Sequence, residues 1–323
     1  MESRYEAIND FLKPIEQLML DETVNEIMIN GPFDVWFRKF GSSCEKSEIL
    51  FDGDQIRGLI TLLASTSNKL IANDKTLGKN FQIISASIPG YRFEAWNTPV
   101  SPFGPSATIR RIPTESISLE AYMRLGTIDE EIYTRLVEYV NEKRTILICG
   151  STGSGKTTFC SSLINTVDTN ERIIVIENIQ ELKINLPNIL YLQTDEEQGY
   201  TVDRLLISAL RGLPDRIIIG ELRGYEASGF VKSANTGHPG SMTTLHANSA
   251  IDAIQRLEEM ICMSETNFNI NNVKQRIGNI KPILIYLAVL KNSKNKITKV
   301  EELIEIQNFK NKNYSIKEIF KIK

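Results

Sequence analysis

The sequence has no excess of basic residues, no long apolar run and little cysteine or histidine. Its 37 Lys and Arg residues stand against 40 Asp and Glu residues, for a net charge of -3. A protein that binds the nucleic-acid backbone usually carries a basic excess, so direct nucleic-acid binding is not expected. The longest apolar run covers residues 282–290 and is far short of the roughly 20 residues that a membrane-spanning helix needs.

The four cysteines stand far apart, with no CxxC pair, at Cys44, Cys149, Cys160 and Cys262. This spacing excludes a zinc cluster and a disulfide framework, and it favours free thiols in a reducing compartment. The first ten residues lack the basic-then-apolar order of a signal peptide. We therefore expect a cytoplasmic protein, or one that lies peripherally on the inner face of a membrane.

The first third of the chain has the pattern of a small α+β domain. Short apolar runs bounded by Gly, Pro and Asn predict strands, and Asp52 is placed to cap an amphipathic helix. The helices are expected over residues 5–20 and 52–63, and the strands over residues 25–29, 34–37, 82–87, 91–96 and 107–112. We assign residues 1–109 to this domain. Residues 110–126 are assigned to an interdomain linker, because the sequence after Pro113 shows no clear strand periodicity.

From Thr127 onward, strands and helices alternate, which is typical of a parallel sheet with helices on its faces. We therefore predict an α/β domain over residues 127–323, with the Lys- and Asn-rich tail after residue 292 folded but peripheral. Its strands are expected over residues 145–149, 172–176, 216–219 and 241–245, and its helices over residues 129–143, from 156 onward, 202–210 and 226–236.

A phosphate-binding loop follows the strand at residues 145–149. The sequence GSTGSGKT matches GxxxxGK[ST] in full, and a helix follows it, which is the context that this motif requires. Glycines let successive N–H groups point inward at an anion, and the helix N-terminus adds its positive dipole end. Lys156 is predicted to contact the β- and γ-phosphates of ATP, and the Thr157 hydroxyl to bind Mg²⁺. The loop comprises Gly150, Ser151, Thr152, Gly153, Ser154, Gly155, Lys156 and Thr157.

Two of the predicted strands end in glutamate, at Glu177 and Glu221. Ligands of parallel sheets lie at the carboxyl ends of the strands, so both carboxylates are expected beside the phosphates. One can hold a magnesium-bound water and the other can orient or deprotonate the attacking water. Gly220 stands where an aspartate is common before the second glutamate, so Mg²⁺ is left to Thr157, phosphates and waters. The alternative is a pair of solvated turn glutamates.

The two histidines, His238 and His246, lie close together in the sequence TGHPGSMTTLHANS. Two histidines without a third ligand at metal spacing make a poor metal site. A histidine that ends a central strand suggests a contact to the γ-phosphate, and we predict this role for His246. The alternative for both is a histidine that only hydrogen-bonds a turn or the core.

These motifs, in order, resemble those of the hexameric traffic ATPases of type II and type IV secretion, conjugation and type IV pili. The matching blocks are GSTGSGKTT, IENIQEL, LPDRIIIGELRG and TGHPGSMTTLHANSA, with a looser match at LDETVNEIMINGP and ATIRRIP. The resemblance covers nearly the whole chain. It is most specific over residues 143–257.

The resemblance implies a RecA-like ATPase domain joined to a smaller N-terminal domain, six copies of which form a ring at the inner membrane. It implies that Thr158 completes the nucleotide-binding loop, that Glu221 is the catalytic carboxylate, and that Glu177 and His246 belong to the acidic and histidine boxes. It also implies that arginines of the first domain reach nucleotide in their own or a neighbouring subunit, at Arg92, Arg110 and Arg111. Expected partners are inner-membrane components of a secretion or pilus machine.

Two features of the chain depart from parts of this family. Asn178 stands where the acidic box usually has aspartate, and the tetracysteine zinc module of many type II members is absent. The second departure favours the type IV secretion and conjugation branch, with tight-adherence or type IV pilus assembly as an alternative. A RecA-like nucleic-acid motor, such as a helicase or recombinase, is a further alternative that the acidic composition disfavours.

Overall fold

Two separate sheets organise the chain in the computed structural model, which describes residues 8–66, 82–112, 115–196, 198–264, 269–291 and 296–322. One compact unit comprises Met1–Thr114 and Lys294–Lys296, and the other comprises Glu115–Ser293 and Ile297–Lys323. Among the described residues, no helix combines the length and the apolar character that crossing a membrane requires.

The first unit is an antiparallel sheet with helices on one face. The strands lie in the order β3-β2-β1-β6-β5-β4, and alternate residues such as Ile27, Phe93 and Ile109 are buried against the helices. The elements are a 3-10 turn Lys13–Ile15, α1 (Glu16–Leu20), β1 (Val24–Ile29), β2 (Val35–Lys39), β3 (Cys44–Lys46), α2 (Gly53–Thr66), β4 (Ile83–Ile88), β5 (Tyr91–Trp96) and β6 (Ser106–Arg111).

Local sequence explains where the first helices begin and break. The carboxylate of Asp52 accepts hydrogen bonds from the backbone N–H groups of Asp54 and Gln55, at 2.9 and 2.8 Å, as the predicted cap of α2 requires. The helix predicted over residues 5–20 is interrupted. Residues 8–12 are helical, the 3-10 turn follows at Pro14, and α1 resumes at Glu16. Proline lacks an N–H donor, so the helical ladder cannot run through it. Residues 5–7 of that prediction lie outside the described residues.

The segment expected to be a linker, residues 110–126, contains regular structure at both ends. Arg110 and Arg111 are the last residues of β6 and pair with β1 and β5. Farther along, α3 (Leu119–Arg124) forms a short helix, in which the backbone N–H of Ala121 donates to the hydroxyl of the N-cap residue Ser118 at 3.2 Å. Leu119 of this helix is buried in the core of the second unit. A helix of six residues has fewer than two turns, which is too short for an apolar period to be recognised in the sequence.

The second unit is an eight-stranded sheet in the order β14-β13-β12-β7-β11-β10-β8-β9. The strands from β12 through β9 pair in parallel, and β13 and β14 pair antiparallel at the other end. The elements are α4 (Glu130–Asn141), β7 (Ile146–Gly150), α5 (Lys156–Ile164), β8 (Ile173–Glu177), β9 (Ile189–Gln193), α6 (Val202–Ala209), β10 (Arg216–Leu222), α7 (Glu226–Asn235), β11 (Met242–His246), α8 (Ala250–Ser264), α9 (Ile270–Ile280), β12 (Ile283–Lys291), β13 (Lys296–Lys310) and β14 (Asn313–Lys321).

The central strand β7 is apolar along its whole length because both faces of this sheet are covered. Ile146 and Ile148 of β7 pack into the core on one face, with α4 and α5. Leu147 and Cys149 point to the other face and pack with α7 and α8. This arrangement confirms the predicted α/β architecture with a sheet rich in parallel strands.

Two strands of this sheet were not predicted, β9 and β12. The edge strand β9 is only partly buried, so its sequence carries no continuous apolar signal. The apolar run of β12 has a length that fits a strand or a buried helix, and periodicity cannot distinguish the two. The tail was expected to be peripheral, but Val300 and Leu303 of β13 are fully in the core. Of the two tail strands, only β14 lies at an edge of the sheet.

Candidate active site

The phosphate loop connects β7 to α5 and can only be built with glycine at its start. Gly150 has a φ of +156°, and a Cβ there would lie 2.4 Å from the Leu287 carbonyl oxygen and 2.7 Å from the Ser154 hydroxyl. Gly155, at the N-cap of α5, has a φ of +84°, and a Cβ at this position would have no atom within 4 Å of it. The loop is therefore a concave backbone cradle with open space beside it, which fits a chain of phosphates.

Lys156 occupies the first position of α5, and its ammonium group lies inside the cradle. The Nζ atom donates to the carbonyl oxygens of Gly150 at 3.1 Å and Ser151 at 2.9 Å. It also lies 3.3 Å from Nδ1 of His246. Lys156 is buried, so its positive charge is held within the loop, where it attracts an anionic ligand.

His246 and Glu221 are brought together by the neighbouring strands β11 and β10. The His246 Nε2 atom lies 2.7 Å from Oε1 of Glu221. Burial and the adjacent Lys156 ammonium lower the pKa of His246, which favours the neutral ring. A lysine ammonium can only donate, so Nδ1 accepts from Lys156 and Nε2 carries the proton that His246 donates to Glu221. The loop, the histidine and the glutamate thus form one connected chain.

Glu177 ends β8 and is buried, unlike Glu221. Its Oε1 atom accepts hydrogen bonds from the backbone N–H groups of Glu181 and Leu182, at 3.2 and 3.1 Å. Its Oε2 atom is buried without a partner among the described residues. Burial raises the pKa of this carboxyl to about 7, since the two backbone donors offset only part of the cost. Glu177 is therefore no solvated turn residue.

Gly220 lies against Glu177 on the adjacent strand. A Cβ at Gly220 would meet Cγ of Glu177 at 2.8 Å and its Oε1 atom at 3.1 Å. The Glu177 side chain thus fills the space that an aspartate at position 220 would need. This packing gives a physical reason for the glycine that the sequence shows there.

The residues present fit a magnesium ion that is held mainly by its substrate. Thr157 follows Lys156 in the first turn of α5 and is half-buried. Among the described residues, no group of three or more His, Cys, Asp or Glu side chains could hold a metal ion. A threonine hydroxyl, phosphate oxygens and waters are ligands that Mg²⁺ accepts without an acidic cluster.

The three candidate arginines all lie on the antiparallel sheet of the first unit. Arg92 of β5 and Arg110 of β6 are directly paired in the strand register. Nη2 of Arg110 lies 3.1 Å from Oε1 of Glu26. Arg111, in contrast, donates to the backbone carbonyl oxygens of Met19, Asp21 and Val24. The contacts of Arg111 explain it as a structural residue of the first unit.

Sequence reasoning missed two residues that contact the site. Arg223 donates from Nε to Oε2 of Glu221 at 2.7 Å, and its Nη2 contacts the same oxygen. Residues two apart on an extended strand share a face, so the GELR sequence contained this signal. The second is Thr298 of β13, whose hydroxyl donates to the carbonyl oxygen of Ser154 at 3.2 Å. No local pattern links these two positions, which are far apart in the chain.

Two other polar residues of the matching sequence blocks have structural contacts. His238 Nδ1 lies 3.1 Å from the Pro214 carbonyl oxygen, and the Ser241 hydroxyl donates to the His238 carbonyl. This histidine therefore stabilises a turn. Arg216 begins β10, at the opposite end of that strand from Glu221, and its buried guanidinium contacts both carboxylate oxygens of Glu171.

Comparison with known proteins identifies the family of this chain. The family model described as "Type II/IV secretion system protein" matches residues 9–280, which is most of the chain and includes the phosphate loop, Glu177, Glu221 and His246. The chain belongs to this family. Within the type II/IV secretion family, it is 33% identical over 239 residues to the conjugal transfer protein TrbB of Rhizobium radiobacter, covering 72% of this chain and 70% of that protein.

A second family relative is the type IV secretion system protein VirB11 of Bartonella quintana. The two are 32% identical over 295 residues, which covers 79% of this chain and 81% of the relative. Among solved structures, the Legionella pneumophila ATPase DotB superposes with a TM-score of 0.63 at 21% identity, covering 90% of this chain and 78% of that one. This similarity confirms the predicted fold, a RecA-like domain preceded by a smaller α+β domain.

Proposed function

We propose that this chain hydrolyses MgATP and that the hydrolysis drives a type IV secretion or conjugation apparatus. The observation that carries the proposal is the continuous contact from the phosphate loop through Lys156 and His246 to Glu221. A cationic cradle for phosphates and a carboxylate for the attacking water are the two parts that ATP hydrolysis needs. Membership in the type II/IV secretion family supports the same function.

Each part of the site has a proposed task. Lys156 leaves the loop carbonyls to contact the β- and γ-phosphates, and the backbone of residues 150–158 holds the remaining phosphate oxygens. Thr157 would hold a magnesium ion, which would neutralise charge on the phosphates. Glu221 orients the attacking water and accepts its proton. His246 holds Glu221 and lies close enough to Lys156 to sense what that ammonium contacts.

The proposed setting is a homohexamer on the inner face of the inner membrane. The names of two relatives, a conjugal transfer protein and a type IV secretion system protein, support the apparatus. The expected ring, its peripheral membrane position and its inner-membrane partners come from the family resemblance. In this setting ATP binding and hydrolysis move domains and so drive translocation or pilus assembly.

Two substitutions separate binding from chemistry. We expect Lys156→Ala to lose a charge-assisted contact of about 1.5–3 kcal/mol and with it most nucleotide binding and turnover. We expect Glu221→Gln to bind ATP normally but to release phosphate about 10²–10⁴-fold more slowly, because the amide keeps the shape and loses the base. Binding is measured with a fluorescent ATP analogue and turnover by phosphate release.

Exposed residues of the edge strand β14 provide matched controls, Lys317→Ala and Glu318→Gln, which should behave as the wild type. Equal turnover by wild type and Lys156→Ala would refute the loop assignment. A Glu221→Gln variant that no longer binds nucleotide would make Glu221 a structural or metal-shell residue and pass the catalytic role to Glu177.

A further inference from the structure

The two oxygens of the Glu221 carboxylate have different partners. Oε1 accepts one hydrogen bond, from Nε2 of His246 at 2.7 Å. Oε2 contacts two donors of a single guanidinium, Nε of Arg223 at 2.7 Å and Nη2 of the same residue. The carboxylate is therefore bound asymmetrically, by a neutral ring on one oxygen and by a full positive charge on the other.

This asymmetry limits where a water molecule can bind. Each carboxylate oxygen has about two lone-pair sites. The two guanidinium donors use both sites of Oε2, whereas His246 uses one site of Oε1. The remaining site of Oε1 is the one that can accept a proton. The positive charge beside Oε2 also makes that oxygen the poorer proton acceptor.

The backbone of Arg223 is fixed while its side chain remains outside the core. The N–H groups of Arg223 and Gly224 both donate to Oε1 of Glu226, the first residue of α7. The Arg223 side chain is 60% exposed, so it contributes little apolar packing. Exposed ion pairs contribute little to the stability of the fold. Stability therefore poorly explains why the exposed Arg223 guanidinium contacts the Glu221 carboxylate.

We propose that Arg223 is a positioning residue that saturates Oε2 of Glu221 and thereby directs the attacking water to Oε1. The inference rests on the proposed ATPase function. As the water oxygen bonds to the γ-phosphorus, the bond from that phosphorus to the bridging oxygen of ADP breaks, and ADP leaves with the electron pair. The water proton passes to Oε1 of Glu221, which later returns it to solvent.

The test is a double-mutant cycle on ATP hydrolysis by the full chain. We expect Arg223→Gln to lower kcat about 10- to 100-fold, the scale of a mispositioned reacting group, with KM for ATP changed less than about twofold. Arg223→Lys keeps the charge but offers no fork of donors, so its rate should be intermediate. Arg211→Gln, at an exposed arginine of the same unit, is the matched control and should match the wild type.

The decisive arm uses the Glu221→Gln background. If Arg223 acts through Glu221, adding Arg223→Gln there should change the rate less than about twofold, since the carboxylate base that Arg223 positions is already lost. If the double variant loses rate by the full further factor, Arg223 acts elsewhere than through Glu221. If Arg223→Gln alone raises KM and leaves kcat unchanged, Arg223 binds nucleotide directly, which also contradicts the inference. A wild-type rate for Arg223→Gln would overturn the inference alone. A wild-type enzyme that releases no phosphate would overturn the proposed function and this inference together.

Discussion

At the scale of single residues, Glu177 lies in surroundings that favour its protonated form. One oxygen accepts two backbone hydrogen bonds and the other is buried without a partner among the described residues. Its pKa is raised to about 7 by burial, so the carboxyl changes charge near neutral pH. Whether protonated or ionised, Glu177 can accept the backbone hydrogen bonds that hold the loop after β8. It carries a negative charge only in its ionised form.

The raised pKa predicts how stability depends on pH. The folded chain binds the Glu177 proton more tightly than the unfolded chain, so this residue stabilises the fold at low pH. That contribution is lost as the pH rises from about 4.5 to 7. A pKa raised from 4.5 to about 7 corresponds to at most about 3 kcal/mol.

We therefore compare the melting temperatures of the nucleotide-free wild type and Glu177→Gln by thermal unfolding. Between pH 5 and pH 8, the melting temperature of the wild type should fall relative to that of Glu177→Gln. Glu318→Gln, at an exposed position of β14, controls for the loss of a carboxylate. Parallel pH curves for wild type and Glu177→Gln would contradict the prediction.

At the scale of elements, the carboxyl ends of β8 and β10 can pack closely because residue 220 of β10 is a glycine. The close approach of Glu177 to Gly220 leaves no room for a Cβ on β10. Gly224, just beyond the end of β10, differs because a Cβ there would meet only Oε2 of Glu226, at 3.7 Å, which is ordinary contact. The two glycines therefore provide a matched pair with opposite expectations.

We expect Gly220→Ala to destabilise the fold by about 1–3 kcal/mol, because overpacking displaces Glu177. Gly224→Ala should change stability by less than about 0.5 kcal/mol, the range of ordinary surface substitutions. Chemical denaturation measures both. The cost of Gly220→Ala should shrink in a Glu177→Ala background, where the clashing atoms are gone. An undiminished cost there would place the strain elsewhere.

At the scale of the whole molecule, the proposed role of the first unit in ATP turnover is tested best at Arg110. Arg111 holds three backbone carbonyls, so its removal would damage the first unit and confuse a functional test. Arg110 makes an ion pair with Glu26 and is about one-third exposed, which makes it the better residue to substitute. Arg92, its partner in the strand register, is the second choice.

We expect Arg110→Ala to lower ATP turnover, because an arginine that neutralises transition-state charge contributes about 10³–10⁵-fold elsewhere. Mixing inactive Lys156→Ala and Arg110→Ala subunits should restore part of the activity if the arginine acts across a subunit boundary. Arg57→Ala, at an exposed arginine of α2, should leave turnover unchanged. No recovery on mixing would assign the arginine to its own chain, and a wild-type rate for Arg110→Ala would refute the role.

Much of this protein could be predicted from the sequence because the signals are local. Apolar strands that end at GSTGSGKT, at Glu177, at Glu221 and at His246 predicted a parallel sheet with its chemistry at one edge, since parallel strands end together. Asp52 marked a helix start by the physics of capping, and this cap is present. These features depend on residues within a few positions of one another.

The tertiary structure decided what depends on distant segments. Only packing between β8 and β10 reveals why position 220 is glycine and why Glu177 is buried. Only strand order places His246 between Lys156 and Glu221, and places β12 and β13 against the phosphate loop. The sequence determined which chemical groups are available and where the strands before the phosphate loop, at Glu177, at Glu221 and at His246 end. The fold decided which of those groups touch, because contacts between strands depend on their lateral order, which no local period encodes.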